Sequence, residues 1–245
     1  MKKLVSMLLV LACTLSMVAC GSSEDNTLIM ATNAEFPPYE YYEGEEIVGI
    51  DAEFAAAIAE KLGMELKIGD MAFDSIIPAV QSGKADFGAA GMTVTPDREK
   101  EVDFSDTYYT GRQVIIVAEG NTEITGPDDL EGKKIGVQQG TTGDIYATDD
   151  YGDENIERYN KGFEAVQALQ QGKIDVVIID DQPAQTFVDE NEGLMILETE
   201  YVEEEYALCF KKDSELVEKV NEAIAELKKD GTFDKIIDKY IGSEE

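Results

Sequence analysis

The chain has 245 residues, 43% of them hydrophobic, which is enough for one large domain or two modest domains with hydrophobic cores. It carries 52 acidic against 20 basic residues, a formal charge of −32, so we expect it to repel nucleic acid and anionic lipid. Acidic runs such as 203–205 are interpreted as solvated surface. The sequence contains no histidine, which removes the commonest general base and most zinc ligand sets, and we expect no metal and no cofactor.

The N-terminus has the pattern of an export signal. Lys2 and Lys3 precede an apolar run at 4–18, which is short for a membrane span and typical of a signal peptide. The run ends at Ser16-Met-Val-Ala-Cys20, which resembles the lipobox of bacterial lipoproteins, although Met17 stands where leucine is usual. The resemblance implies cleavage before Cys20 and lipidation of its thiol. We therefore predict a signal peptide at 1–19, a lipidated cysteine and tether at 20–26, and a domain anchored at the outer face of the cytoplasmic membrane. An uncleaved anchor is the alternative.

The elements of the first half alternate between strands and helices. Apolar runs predict strands at 27–31, 64–68 and 87–90, and a hairpin is expected around Gly44. Apolar stripes at helical spacing predict a helix that begins at 49–51 and ends at Gly63, and another at 74–82. This alternation predicts an α/β lobe with a mostly parallel sheet and helices on its faces.

The second half repeats this alternation after Pro127. We predict strands at 134–137, 156–159 and 174–179, helices at 141–147, 163–171 and 182–188, and tail helices at 214–230 and 232–241. Two extended runs, at 108–117 and 205–211, are expected to connect the halves, and Cys209 in the second run is expected to be a core residue. The pattern predicts two lobes joined by two hinge strands. Lobe one is predicted at 27–110 plus 206–245, and lobe two at 111–205.

An internal repeat relates the two halves. Residues 73–86 match residues 163–175, and both segments end in Gly-Lys-x-Asp before an apolar strand. Gly91 and Asp180 each stand at the same spacing after their motif, so we expect them at equivalent strand ends. Ligands of open parallel sheets bind at that edge. The repeat therefore predicts a binding site between the lobes, with duplication of a purely structural module as the alternative.

The segment 85–98 has the features of an anion site. Gly91 allows the backbone to approach a guest closely, and Thr93 offers a hydroxyl. Thr95 and Pro96 then start a helix whose first turn contains Arg98, where the helix dipole disfavours a cation. An anion held by Arg98, Thr93 and the backbone near Gly91 would account for this placement, and a carboxylate matches the planar guanidinium fork.

An α-amino acid would satisfy groups from both halves. Asp180 from lobe two can accept its ammonium, and Thr142 at a helix start can add donors to its carboxylate. The predicted site therefore consists of one set of residues that flank or reach the guest, namely Asn33, Phe36, Phe73, Gly91, Thr93, Arg98, Gln138, Thr142 and Asp180. Because Asn33 and Gln138 are neutral, they favour a glutamine-like side chain at the far end and only weakly exclude arginine or lysine.

Most of these residues could instead have an ordinary structural role. Arg98 could be a solvated helix residue paired with an acid of its own helix, at position 97 or 101. Asp180 and Thr142 could each be a helix cap. Phe36 and Phe73 could be ordinary core residues.

Several motifs taken together resemble the solute-binding proteins of polar amino-acid ABC importers. They are Asn33-Ala-Glu-Phe36-Pro-Pro-Tyr39, Gly49-Ile-Asp-Ala-Glu53, Phe73-Asp-Ser-Ile-Ile-Pro78, Ala90-Gly-Met-Thr93-Val-Thr-Pro-Asp-Arg98, Asp103-Phe-Ser-Asp106 and Asp175-Val-Val-Ile-Ile-Asp180. The resemblance covers 27–242 and implies a fold like that of type II periplasmic binding proteins. It also implies carboxylate binding at Gly91, Thr93 and Arg98, ammonium binding at Asp180, and delivery of the amino acid to ABC permease subunits by a monomer.

This chain departs from the family pattern at two positions. Asn33 stands where members that bind lysine, arginine or glutamine commonly carry aspartate, and Ala52 replaces a larger aliphatic residue. Two other functions share the expected fold or ligand. A dehydratase acting on arogenate or prephenate would need an acid such as Glu35 or Asp51 for proton transfer. A ligand-sensing module would have to act through a partner.

Overall fold

The structure is a computed structural model that describes residues 26–199 and 201–242. The predicted signal peptide and the lipidation of Cys20 lie outside these residues. Within them, no helix combines the length and the apolar character needed to cross a bilayer.

The described chain forms strands and helices in close alternation. The strands are β1 (Thr27–Thr32), β2 (Glu35–Phe36), β3 (Glu40–Glu43), β4 (Glu46–Val48), β5 (Glu65–Asp70), β6 (Phe87–Gly88), β7 (Val102–Phe104), β8 (Tyr109–Ala118), β9 (Ile135–Gln138), β10 (Ile156–Tyr159), β11 (Val176–Asp180), β12 (Leu194–Ile196), β13 (Val202–Tyr206) and β14 (Cys209–Lys211). The helices are α1 (Ile50–Leu62), α2 (Ile76–Gln81), α3 (Arg98–Glu101), α4 (Thr142–Tyr151), α5 (Gly162–Gln170), α6 (Asp181–Glu190), α7 (Leu216–Lys229) and α8 (Thr232–Tyr240).

Two sheets with flanking helices define two lobes. The five-stranded sheet of the first lobe has the order β5-β1-β6-β14-β7, and the sheet of the second has the order β10-β9-β11-β8-β12 with β13 also paired to β8. In each sheet the strands of the strand–helix units run parallel, as in β1 with β5 and β6, and β9 with β10 and β11. The remaining strands, including those that cross between the lobes, pair antiparallel. The predicted α/β two-lobe fold is confirmed, but the sheets are mixed rather than mostly parallel, because the crossing and edge strands pair antiparallel.

The two crossings between the lobes lie side by side. Strand β8 enters the second lobe at Tyr109, and β13 returns beside it with Tyr206 opposite Tyr109. The sequence analysis predicted one extended run at 205–211, and this is wrong. The run consists of the end of β13 and all of β14, which belong to different sheets, and Ala207 and Leu208 separate them. The chain must change its pairing partner at this point, which interrupts the strand.

One further strand prediction needs correction, and some short strands were missed. The strand predicted at 87–90 ends at Gly88, because Ala89 and Ala90 already lead into the loop above the sheet. Strands β7 and β12 were not predicted. Each has only three residues, which is too short for alternation to stand out from the flanking loops.

The internal repeat has a structural role that is the same in both lobes. The Asp86 carboxylate accepts a hydrogen bond from Ile29 N at 2.7 Å, and the Asp175 carboxylate accepts one from Lys134 N at 2.8 Å. In the first lobe this bond holds the third residue of β1, and in the second lobe it holds the residue just before β9. The glycines that open the two Gly-Lys-x-Asp motifs have φ of 74° and 66°, which is the left-handed region that favours glycine. The motif therefore sets the register that brings each following strand end to the cleft.

The tail packs on the first lobe through α1. Phe54 of α1 is fully buried, with its ring centroid 5.3 Å from that of Tyr108 and 4.8 Å from that of Phe233 in α8. Aromatic side chains at such separations contribute beyond their buried area. Cys209 is also buried, as expected for a core residue, and burial raises the pKa of its thiol to about 12.

We expect Phe54→Ala to lower the free energy of unfolding by about 3–5 kcal/mol, because it leaves a cavity between α1, Tyr108 and α8. Urea denaturation monitored by circular dichroism measures this. The matched control is Glu60→Ala on the exposed face of α1, for which the change should stay within about 0.5 kcal/mol. Equal effects of the two substitutions would contradict this account of the packing.

Candidate ligand-binding site

A small cavity lies between the two lobes, with residues of both in its lining. The cavity lies where strands of both sheets end, at the position expected for α/β folds. Its lining contains every residue predicted for the site together with three more, in full Asn33, Phe36, Glu40, Phe73, Ala90, Gly91, Thr93, Arg98, Gln138, Thr141, Thr142 and Asp180.

Arg98 is buried and bridges the lobes. Its Nη1 donates to the Thr93 carbonyl at 2.8 Å, and its Nη2 donates to the Gly140 carbonyl of the second lobe at 3.1 Å. The guanidinium also lies over the Phe73 ring, 5.4 Å from the centroid. Burial lowers its pKa from the ordinary value, but arginine keeps its proton in proteins. Arg98 therefore places a positive charge at the cavity, and its guanidinium keeps N–H groups that can still donate hydrogen bonds.

The solvated interpretation of Arg98 is wrong. Asp97 pairs with Lys100 at the surface, whereas the Arg98 side chain turns inward. Helix α3 begins at Arg98, two residues later than predicted, with Asp97 at its N-cap position, although the Thr95 hydroxyl does accept a hydrogen bond from Arg98 N at 3.2 Å.

The start of α4 faces the cavity from the second lobe. Thr141 caps this helix, since its hydroxyl accepts a hydrogen bond from Asp144 N at 3.4 Å. Thr142 is thus the first helical residue, and its interpretation as the cap is wrong. The first amides of a helix have no intrahelical acceptor and carry the positive end of the helix dipole. This end of α4 can therefore bind an anion.

Asp180 stands at the N-cap position of α6 but makes no capping hydrogen bond. Its carboxylate instead accepts a hydrogen bond from the Tyr206 hydroxyl of β13. Burial, and then the nearby Glu204 carboxylate, raise the pKa of Asp180 well above its ordinary value. A cation next to Asp180 would favour its ionised form.

Two predicted donors are already occupied. The Gly91 N–H donates to Asp51 Oδ2 at 2.9 Å, and the Thr93 hydroxyl donates to Glu204 Oε2 at 3.1 Å. Both groups are therefore bonded within the protein, and the carboxylate role expected for Gly91 and Thr93 stays a prediction. Gly91 has a φ of 52°, and a Cβ there would lie 3.1 Å from the Phe36 ring, so both backbone and space require glycine.

The far end of the cavity is formed by an amide pair from opposite lobes. Gln138 Nε2 donates to Asn33 Oδ1 at 2.8 Å, while Asn33 Nδ2 donates to the Met71 carbonyl at 2.9 Å. Gln138 Oε1 is buried and receives no hydrogen bond from the residues that the structure describes. Phe36 lies beside this pair in the lining and stacks on Tyr39 with centroids 5.9 Å apart. The far end therefore offers a carbonyl acceptor and an aromatic face.

Buried acids around the site were missed by the sequence analysis. Glu40, Asp51, Asp180 and Glu204 are all buried, against Arg98 as the one buried basic residue of the described chain. In that part of the chain, no lysine or arginine lies within 4.0 Å of any of these four carboxylates. The site thus gathers acidic groups in a medium that disfavours their ionised forms.

The burial of one of these acids, Glu204, could have been predicted from the sequence. Run 203–205 was interpreted as surface charge, yet Glu203 and Glu205 are exposed while Glu204 is buried. Side chains alternate between the faces of a strand, so Glu204 shares the inward face of β13 with Tyr206. It accepts a hydrogen bond from Gln113 Nε2 of β8 at 2.9 Å, as well as that from Thr93.

Further contacts join the lobes at the edges of the cavity. Gln139 Nε2 donates to Asp74 Oδ2 at 2.9 Å, and Lys161 forms an ion pair with Glu35. With the Arg98 and Gln138 contacts, they close the cleft around the cavity.

Two α/β lobes on paired crossing strands, closed around a small polar cavity, define the class of solute-binding proteins that trap a ligand between lobes. Residues 28–243 match the bacterial extracellular solute-binding proteins, family 3, and the chain belongs to this family. The predicted receptor function and the resemblance to type II periplasmic binding proteins are therefore confirmed, and the family is an exported one.

Individual relatives resemble nearly the whole chain. The arginine-binding extracellular protein ArtP of Bacillus subtilis is 38% identical, over 97% of this chain and 98% of its own length. A probable histidine-binding protein of Campylobacter jejuni is 33% identical, over 98% of this chain and 99% of its own length. The structure of an ancestral arginine-binding protein bound to arginine has 42% identity and a TM-score of 0.85, covering 89% of this chain and 99% of its own.

We expect Asp51→Asn to change how stability depends on pH. Burial raises the pKa of the Asp51 carboxyl from 3.8 to about 6, so the folded protein binds more protons than the unfolded chain between these values. The stability contributed by the protonated carboxyl is therefore present below about pH 4 and is lost as the pH rises through 6. From pH 4 to 7, the free energy of unfolding of the variant should gain about 3 kcal/mol relative to the wild type.

Urea titrations at several pH values measure this difference. Asp149→Asn, at an exposed position of α4, is the control and should follow the wild type at every pH. Parallel curves for Asp51→Asn and the wild type would contradict the expectation.

Proposed function

We propose that this protein binds a basic L-amino acid, arginine foremost, in the cavity between its lobes and delivers it to an ABC permease. The observation that carries the proposal is the excess of buried acids over buried bases at the site. Glu40 and Asp180 line the cavity, Asp51 and Glu204 bond to residues of its lining, and Arg98 is the one buried basic residue of the described chain. A ligand with a net positive charge reduces this imbalance, whereas a neutral zwitterion does not.

The proposed arrangement of the ligand uses groups from both lobes. We assign the carboxylate to the remaining N–H donors of Arg98 and to the start of α4 at Thr142. We assign the ammonium to Asp180, and the side chain to the space beside Phe36 and Phe73. The guanidinium would then donate to Gln138 Oε1, the buried acceptor at the far end. Gly91, Thr93 and Asn33 complete the lining in this proposal.

The names of the relatives support arginine as the ligand without excluding glutamine. ArtP and the ancestral protein are arginine-binding, and the ancestral protein also has a structure bound to glutamine, with a TM-score of 0.84 to this chain. Asn33 and Gln138 can receive either an amide or a guanidinium, which is why the sequence alone favoured a glutamine-like ligand. The buried acids, which only the fold brings together, favour the cation.

The positions of Asp51 and Glu35 agree better with a binding role than with an enzymatic one. Asp51 lies behind Gly91, is not in the cavity lining, and accepts hydrogen bonds from Gly91 N and the Tyr108 hydroxyl. Glu35 is paired with Lys161. Neither candidate is placed to exchange a proton with a guest, so we propose that the protein is not an enzyme.

We further propose that the lobes divide as 27–110 plus 206–245 and 111–205. The change of sheet around Tyr109 and Tyr206 supports these boundaries. We also propose that the protein is a monomer, anchored by lipid at Cys20 to the outer face of the cytoplasmic membrane. The lipobox-like segment before Cys20 supports the anchor.

Isothermal titration calorimetry against the common amino acids tests the ligand. We expect arginine to bind more tightly than lysine, histidine and glutamine, and Arg98→Ala to weaken arginine binding at least a hundredfold, about 3 kcal/mol, because the carboxylate loses a charged donor. Lys100→Ala removes an exposed cation from the same helix and should leave the affinity unchanged. Tighter binding of glutamine than of arginine would overturn the choice of ligand.

The anchor is tested by labelling cells with a radioactive fatty acid. The wild type should incorporate the label and remain in the membrane fraction, whereas Cys20→Ser should do neither, because the acceptor thiol is missing. Cys209→Ser, which alters a buried thiol, is the control and should be labelled normally. Equal labelling of wild type and Cys20→Ser would exclude the anchor.

A further inference from the structure

Glu40 is a buried acid in the cavity lining without a hydrogen-bond donor. It lies on β3, opposite Phe36 of β2, and only 1% of the residue is exposed. Both carboxyl oxygens are buried, and neither receives a hydrogen bond from the residues that the structure describes. A buried acceptor left in this state costs free energy comparable to its desolvation. Such an atom in the wall of a ligand cavity points to a donor on the ligand.

The surroundings of Glu40 do not supply that donor. Asp51 lies against Glu40, and its carboxylate is already bonded to Gly91 N and the Tyr108 hydroxyl. Burial, and then the negative charge of Asp51, raise the pKa of Glu40 well above its ordinary value. One proton shared by the two carboxyls would occupy a single oxygen of Glu40. The second oxygen remains an acceptor, since a protonated carboxyl still accepts hydrogen bonds.

Glu40 lies at the ammonium end of the proposed ligand. Asp180 lines the same cavity from the other lobe, and the two acids interact electrostatically. Ala90 and Gly91 also line this end, and Gly91 N is bonded to the neighbour of Glu40. An α-ammonium has three N–H donors, of which Asp180 accounts for one or two.

We propose that Glu40 is a ligand-binding residue of lobe one, whose carboxyl oxygen accepts a hydrogen bond from the ligand α-ammonium opposite Asp180. This inference rests on the proposed function and names a contact of the same site. With this contact the ligand ammonium bridges acids from both lobes and so contributes to closure of the cleft. Ligands that lack this group lose a contact on each side of the cleft.

The competing possibility is a purely structural role, in which Glu40 only shares a proton with Asp51. The two roles differ in their effect on ligands. A contact to the ammonium affects only ligands that have one, whereas a structural role affects all ligands equally.

Calorimetry with paired ligands tests the proposal. The ligands are L-arginine and desamino-arginine, in which hydrogen replaces the α-ammonium. We expect Glu40→Met to weaken arginine binding at least tenfold while changing desamino-arginine binding less than twofold, measured by competition if it is weak. Glu40→Gln keeps a carbonyl acceptor and a donor toward Asp51, so its loss for arginine should be smaller. Glu43→Met, at an exposed position of the same strand, should bind both ligands as the wild type does.

Equal loss of both ligands in Glu40→Met, or no loss of either, would overturn the proposal. The crystal structure of the arginine complex gives a direct test that is independent of the variants. A Glu40 oxygen should lie within about 3.2 Å of the α-nitrogen, and a clearly longer separation would also overturn the proposal. If the wild type binds glutamine rather than arginine, the proposed ligand fails, and the same experiments with L-glutamine and desamino-glutamine still decide the role of Glu40.

Discussion

The site depends on one buried cation that both lobes must stabilise. Removing a guanidinium from water costs free energy unless its donors are satisfied. Arg98 donates hydrogen bonds to the carbonyls of Thr93 and Gly140, one from each lobe. Its remaining donors can then bind an anion at the cavity. The contact that closes the cleft and the contact proposed for the ligand carboxylate thus belong to the same side chain.

The second constraint is the negative charge gathered beside that cation. Burial raises the pKa values of Glu40, Asp51 and Asp180, and neighbouring carboxylates raise those of Glu40 and Asp180 further. The hinge takes part in this arrangement. Asp180 is bonded to Tyr206 and Thr93 to Glu204, and both partners lie on the returning strand β13. A change in the hinge therefore moves groups that touch the cavity, which couples lobe motion to ligand contacts.

Much of the fold and the membership of the site could be predicted from the sequence. The predicted ends of helix α1 and strand β10 agree with the structure to within one residue, because apolar periodicity and Gly63 mark them clearly. The site residues could be predicted because strand ends in a parallel arrangement meet at one edge, so Gly91 and Asp180 were expected together. The partners of these residues could not be predicted, since a hydroxyl such as that of Thr93 serves a ligand or a neighbouring acid equally well.

The sequence by itself determined the fold class, the two-lobe order and the residues that reach the cleft, because periodicity, turn residues and the internal repeat are local properties of the chain. Tertiary structure alone decided which donors are free and where the acids lie. Glu40 and Glu204 stand in segments that read as polar surface, and they become buried only when β3 and β13 pack beside the cleft. Burial and electrostatic coupling depend on distances between residues far apart in sequence, and no local pattern encodes those distances.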